Sequence, residues 1–153
     1  METAHELKKA KRSAARMLKI RPQSVFELRE KLLRKKISLE TVNALVDELL
    51  KLGLLDDRAF TQSWIRWRLQ RSFGLNRIAF ELKVKGIDKE IIQQELSQLC
   101  EAYSEDETAV VLARRQMDKY KNVNPEKKKK RLGDFLARRG FSIDIIQKVF
   151  KKL

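Results

Sequence analysis

The 153-residue sequence predicts an all-α protein: three tandem three-helix repeats forming an elongated, curved array. Three observations carry that prediction. Only five Gly and two Pro occur, too few for the turns of a hairpin-rich β fold, while 42% hydrophobic residues suffice for a packed core. The charge alternates in sign along the chain. It is net +8 over residues 1–39, −4 over 40–57, +6 over 58–87, −6 over 88–112 and +10 over 113–153. Residues suited to helix ends recur at the same spacing of about fifty, as expected of an internal repeat.

The first repeat, residues 1–54, is expected to hold helices over about 5–20, 24–35 and 39–52. Leu7, Ala10, Ala14 and Met17 form the apolar stripe of the first of these, and Val42, Leu45, Val46 and Leu49 that of the third. Ser24 with Glu27 reads as a capping box, and Gly53 as the residue that ends the Leu-rich helix. In the second repeat, 55–104, helices are expected over 57–72, 75–85 and 89–103. Asp56–Asp57 opens the first of them as a cap. Ser24, Gly74 and Asn124 stand fifty apart as N-caps, each preceded at three residues by a cation, Arg21, Arg71 or Lys121. In the third repeat, 105–153, helices are expected over 105–121, 125–139 and 143–152. Ser104 with Glu107 suggests a second capping box, and Pro125 sits at the first helical position. The turns "KKISLE", "KGIDKE" and "RGFSID" align, with Lys36, Gly86 and Gly140 at the helix end and Ser38, Asp88 and Ser142 as caps. The last interval is 54, and the four extra residues fall in "EKKKKR", adding about one basic turn. Ile146, Val149, Phe150 and Leu153 repeat the stripe of the first unit.

Catalytic and metal-binding patterns are missing from the sequence. The glycines are isolated, so no phosphate loop is formed. One Cys, Cys100, and one His, His5, cannot make a disulfide framework or a structural zinc site. No apolar run approaches the ~18 residues of a membrane span, and no secretory leader is recognisable. The expectation is a soluble intracellular protein, without cofactor or catalytic residues, that meets an anionic partner.

Two features point to that partner. Arg66, Arg68, Arg71 and Arg77 surround the stripe Phe60, Trp64, Trp67 in a segment with one acid, Glu81. Because the stripe matches Ala10, Ala14 and Met17 at an offset of fifty, core packing is the expected role, with base stacking as the competing one. Lys127, Lys128, Lys129, Lys130 and Arg131, followed by Arg138 and Arg139, concentrate positive charge on one helix. Such crowding opposes helix formation, so it suits contact with a polyanion better than solubility alone. A track of these two blocks would grip phosphates rather than bases, because the cations are spread over several helices.

"GLLDDRAF" (Gly53–Phe60) resembles the signature of the RecX family, regulators of the RecA recombinase. The resemblance continues through Arg71, Gly74, "RIAFEL" (Arg77–Leu82) and "KGI" (Lys85–Ile87). It includes "RPQSVFELREKL" (Arg21–Leu32) and "FLARRGFSIDII" (Phe135–Ile146), spanning roughly residues 7–153 in order. Lys36 in place of a Gly, Leu75 after Gly74, and Glu95 at an apolar repeat position depart from the family pattern. The resemblance implies a fold of three tandem three-helix repeats. It also implies a cytoplasmic inhibitor in DNA repair and recombination. As a monomer, it would bind in the groove of the RecA–DNA filament and hinder filament growth, ATP hydrolysis and strand exchange. Direct contact with single- and double-stranded DNA is implied too. Read without the resemblance, three-helix units also fit a helix-turn-helix-like DNA-binding regulator or an RNA-binding helical repeat.

Overall fold

The computed structural model describes residues 2–153, and these form helices joined by short turns, with no strand among them. The first repeat contains α1 (Glu2–Ile20), α2 (Val25–Arg34) and α3 (Leu39–Lys51). The second contains α4 (Asp57–Gln70), α5 (Leu75–Val84) and α6 (Lys89–Leu99). The third contains α7 (Glu105–Met117), α8 (Pro125–Arg138) and α9 (Ile143–Lys152), with a 3₁₀ turn at Asp118–Tyr120. Two helices stop short of expectation. Cys100 ends α6, and α7 gives way to the 3₁₀ turn rather than running on to 121.

The caps lie where the residue types put them. Ser24 and Glu27 form both halves of a capping box, whereas at Ser104 the hydroxyl half forms, accepting from the Glu107 N–H. Pro125 occupies the first turn of α8 behind the Asn124 cap. The turns before α3, α6 and α9 share one backbone solution, a left-handed residue. It is Gly86 (φ 74°), Gly140 (φ 99°) and, in the first repeat, Lys36 (φ 63°). Lys36 therefore holds a conformation that a Cβ disfavours.

Each repeat buries its own core. Ala10, Ala14, Leu28, Leu32, Val42 and Leu45 lead the first, and Ile65, Ile78, Leu82 and Ile92 the second. Ala109, Ala113, Leu132, Leu136, Ile146 and Val149 lead the third. The second helices superimpose at the expected intervals: Leu28, Ile78 and Leu132 are all buried, as are Leu32, Leu82 and Leu136. α8 has 14 residues against 10 in α2 and α5, so the extra turn extends its N-terminal, lysine-rich end. Leu153, expected in the α9 stripe, is exposed because the helix ends beside it.

The first helices follow a different register, which corrects the reading of the aromatic stripe. Buried Ala10 and Ala14 correspond to Thr61 and Ile65, one residue beyond the interval of fifty, and then to Ala109 and Ala113. One residue turns a helix face by about 100°. Phe60 stays in the core, but Trp64 is half-buried and Trp67 is 38% exposed. Trp64 takes the place of Ser13, a small buried residue of α1, and the larger indole stays half-buried at that position.

Strong helix–helix packing is confined within repeats. The repeats are joined instead by a polar joint that occurs twice. At the first joint Ser24 Oγ donates to the Lys85 carbonyl (2.7 Å), and the Val25 N–H donates to Asp57 Oδ1 (2.9 Å). At the second, Gly74 N–H donates to the Arg139 carbonyl (2.7 Å), Asn76 N–H to the Gly140 carbonyl (3.1 Å), and Leu75 N–H to Glu105 Oε1 (3.0 Å). The turn and leading carboxylate of each following repeat thus cap the second helix of the one before. Burial pushes the Asp57 and Glu105 carboxyls up, against the pull of those N–H groups. Glu27 has the opposite fate. Burial pushes it up, but the Arg21 hydrogen bonds, the Ser24 N–H and the Lys85 charge outweigh burial and hold it at about 2. The surface of 10352 Å² exceeds the ~8,000 Å² expected of a compact chain of 18.0 kDa, in keeping with repeats laid side by side.

A Cβ at Gly74 would overlap the Gly140 carbonyl and the Phe141 nitrogen, which are backbone and cannot turn aside. Gly74→Ala is therefore expected to destabilise the protein by about 1–3 kcal/mol in urea unfolding. Hydrogen exchange should rise first at the amides of residues 74–76. An unchanged urea midpoint would show that the joint can yield.

Candidate functional site

Four of the predicted cations, Arg68, Arg71, Arg77 and Arg139, converge at the second joint, and Arg138 joins them through its backbone carbonyl. Arg68 lies near the end of α4 and Arg71 is its C-cap, while Arg77 is in the first turn of α5 and Arg138 and Arg139 end α8. Between them stands Phe73, buried where the chain turns from α4 into α5 through Ser72 (φ 60°). The guanidinium carbons of Arg139, Arg68 and Arg77 lie 4.3, 4.5 and 4.7 Å from the Phe73 ring centre. Arg68 also covers Trp67 at 4.4 Å, and Arg71 lies 4.8 Å from the same ring.

A single carboxylate serves this group. Glu81 accepts from Arg68 Nε (2.8 Å), Trp64 Nε1 (2.9 Å) and Arg77 Nε (3.1 Å). Arg77 spends a further N–H on the Arg138 carbonyl (2.9 Å), which ties α5 to α8. Arg139 has no ion-pair partner among the described residues, and its Nε is buried without a hydrogen-bond acceptor. Burial, and after it the Arg77 and Arg68 charges, push its guanidinium below the ordinary range. An arginine remains charged under such a shift. The cluster is a half-buried excess of positive charge with free donors, and a phosphate or carboxylate group would complete it.

The remaining predicted residues lie elsewhere. Arg66 is exposed on α4 without an ion pair. Lys127, Lys129, Lys130 and Arg131 are exposed at the N-terminal end of α8, and Lys128 is half-buried. About 18 Å of helix separates Lys127 from Arg139. Lys127, Arg131 and Arg138 recur at helical spacing on one exposed face of α8, whereas Lys129 turns its ammonium toward the Phe150 ring at 5.2 Å.

Three further features lie outside the predicted site residues. Phe73 reads as an ordinary core residue, although its place just before a capping glycine marks it as a joint residue. Glu95, at an apolar repeat position, is 2% exposed and pairs with Arg58 Nη1 at 2.6 Å, so Arg58 is engaged inside the repeat. The third is an open concavity of about 670 Å³ on α1, lined by His5, Lys8, Lys9, Arg12, Ser13, Arg16 and Lys35 without a carboxylate. The +8 block of residues 1–39 was its signal. Among the described residues no group of three His, Cys, Asp or Glu could hold a metal ion, and no helix is long and apolar enough to cross a membrane.

Known proteins match the whole of this arrangement. Residues 10–49, 56–96 and 104–150 match, in that order, the first, second and third three-helix domains of RecX. A protein of Legionella pneumophila (strain Corby) named "Regulatory protein RecX" is 36% identical over 154 aligned positions, covering 95% of each chain. One of the same name from Amycolatopsis mediterranei (strain U-32) is 33% identical over 147, covering 95% of this chain and 83% of its own. The crystal structure of RecX from Lactobacillus salivarius superimposes with a TM-score of 0.82 at 25% identity, covering 98% of this chain and 97% of that one.

Glu81→Gln would leave the guanidinium groups of Arg68 and Arg77 without their shared anion, beside an Arg139 that already lacks one. The expected loss is about 1–3 kcal/mol of unfolding free energy, larger in low salt than in high salt. Thermal melts of the two proteins at both ionic strengths measure it, and equal salt dependence would show that the cluster feels no net repulsion.

Proposed function

The chain belongs to the RecX family of regulatory proteins, and from that premise we propose that it inhibits RecA by binding the RecA–DNA filament. It acts there by occupancy rather than by catalysis, hindering filament growth, ATP hydrolysis and strand exchange. The place of action is the cytoplasm, and the protein works as a monomer. The observation that carries this reading is the arginine cluster of the second joint, where Arg139 lacks an anionic partner in a fold matched from end to end by the family. Arg66, Arg68, Arg71, Arg77, Arg138 and Arg139 are assigned to phosphate or filament contact. Lys127, Lys128, Lys129, Lys130 and Arg131 are assigned to the same partner from the far end of α8.

Several features support the assignment. Regularly spaced cations on α8 suit a polymer of anions better than a single small ligand. Arginines held by stacking on rings lose little freedom when they bind, so less free energy is spent on ordering them. Contact through phosphates carries no base information, which suits a protein that must act wherever a filament forms.

Substoichiometric protein is expected to slow RecA-dependent ATP hydrolysis on single-stranded DNA, while the protein alone hydrolyses nothing. RecA activity that is untouched at saturating protein sinks the proposal. Replacing Lys127–Lys130 by Gln should weaken DNA binding about equally for all sequences and flatten its salt dependence. Each phosphate that the variant no longer neutralises should reduce the log–log slope on duplex DNA by ~0.9. Helicity should survive, since Gln is close to Lys as a helix former. Unchanged binding at low and physiological salt would show that the lysines serve solubility only.

A further inference from the structure

The displaced tryptophans open a second feature. Arg21, Pro22, Phe60, Ser63, Trp64 and Trp67 line a groove of about 290 Å³ beside the first joint. Phe60 and Trp64 are stacked at 5.9 Å, and Trp67 meets Trp64 edge-on at 5.0 Å. Trp67 stays 38% exposed, an unusual position for an indole in a chain with only two. The rim is cationic. Lys85 Nζ lies 4.4 Å from the Trp64 ring centre, Arg71 lies over Trp67, and Arg66 is exposed one residue before it. No acid lines the groove, since Glu27 is engaged with Arg21 and Lys85, and Glu81 with Arg68. Arg66 and Arg71 have no ion-pair partner among the described residues.

Aromatic walls with an unpaired arginine, Arg71, against the Trp67 ring fit a ligand that combines flat rings with negative charge. Its volume is at the small end of ligand sites, right for one ring system. Duplex DNA keeps its bases stacked inside, so its rings cannot enter. We propose that this groove stacks an unpaired base of single-stranded DNA on Trp67 and Trp64, with Arg71 meeting a flanking phosphate. The proposal rests on the reading that the chain contacts DNA, and adds which form it prefers and where.

Both tryptophans of the chain stand in the groove, so intrinsic fluorescence reports on it directly. The full-length protein is titrated with an oligothymidylate and with an abasic oligomer of equal length and charge. The oligothymidylate is expected to quench the tryptophans and to bind roughly tenfold tighter than the abasic strand. A duplex of the same length should leave the fluorescence unchanged. Trp67→Ala should erase the preference for bases and Trp67→Phe should restore part of it, with circular dichroism and melting temperature close to the parent. Equal binding of both oligomers without quenching, or unaltered preference in Trp67→Ala, overturns the stacking site while leaving phosphate contact standing. Binding of neither strand overturns both readings. Trp67→Ala that keeps its DNA binding but loses inhibition of RecA assigns the groove to a protein partner and overturns the proposal.

Discussion

The arrangement of the three repeats depends on one kind of interaction, the capping of a helix by the repeat that follows it. The cores are separate, and no strong helix packing crosses between them. The first N–H of α2 goes to Asp57 and that of α5 to Glu105, so an orphan donor at a helix start is answered by a carboxylate of the next unit. Gly74 shows how tightly the second joint closes. Ser24 can use its hydroxyl at the first joint, but at the second no side chain fits, and the backbone N–H itself makes the bond to Arg139. Directional bonds at helix ends fix the orientation of a neighbour more sharply than apolar contact does, because they tolerate little change in angle.

The same architecture is used twice with different charge balance. At the first joint Arg21 and Lys85 close on Glu27, whose carboxyl stays ionised far below neutrality. At the second, Arg68 and Arg77 share Glu81, and Arg139 beside them has no ion-pair partner among the described residues. The helix-end carbonyls of Arg138 and Arg139 are engaged by Arg77 and Gly74, and the Arg139 side chain lies inward over Phe73 while that of Arg138 stays exposed. The excess charge is thus a consequence of how the joint is closed, and stacking on Phe73 is what holds guanidinium groups so near one another.

Much of the fold was legible because helix ends announce themselves chemically. Ser24, Ser38, Asn124 and Ser142 all cap helices, and even Lys36, in place of a glycine, was recognisable as a helix end from its alignment with Gly86 and Gly140. The arginine-rich second repeat and the +10 block of residues 113–153 were likewise readable as charge. What the sequence hid was phase. The stripe Phe60, Trp64, Trp67 has perfect helical spacing, yet the buried set is Phe60, Thr61 and Ile65. Periodicity gives the pitch of a face and leaves its absolute angle to packing, so one residue of slip between repeats passed unnoticed. The joints were hidden for a related reason: Asp57 and Glu105 look like ordinary first-turn acids, and only the fold shows that they cap a neighbouring helix.

That slip has a structural consequence beyond two exposed rings. Had α4 followed the interval of fifty, Trp64 and Trp67 would lie in the core and Arg68 would lose the Trp67 ring it rests on. Turned outward, Trp64 reaches Trp67 at 5.0 Å, Arg68 stacks on Trp67 at 4.4 Å and on Phe73 at 4.5 Å, and Arg139 lies 4.3 Å from Phe73. Glu81 binds Trp64, Arg68 and Arg77 together and keeps the row in register. Rings and guanidinium groups therefore run in unbroken contact from the groove at the first joint to the cluster at the second. A surface of alternating flat rings and flat cations has the two kinds of group that the proposed contact with a nucleotide requires, one for its base and one for its phosphate. It is assembled from helix ends rather than from a recognition helix, so it presents no row of side chains toward base edges. For the proposed single strand, that leaves the backbone and the unstacked rings as the groups open to contact.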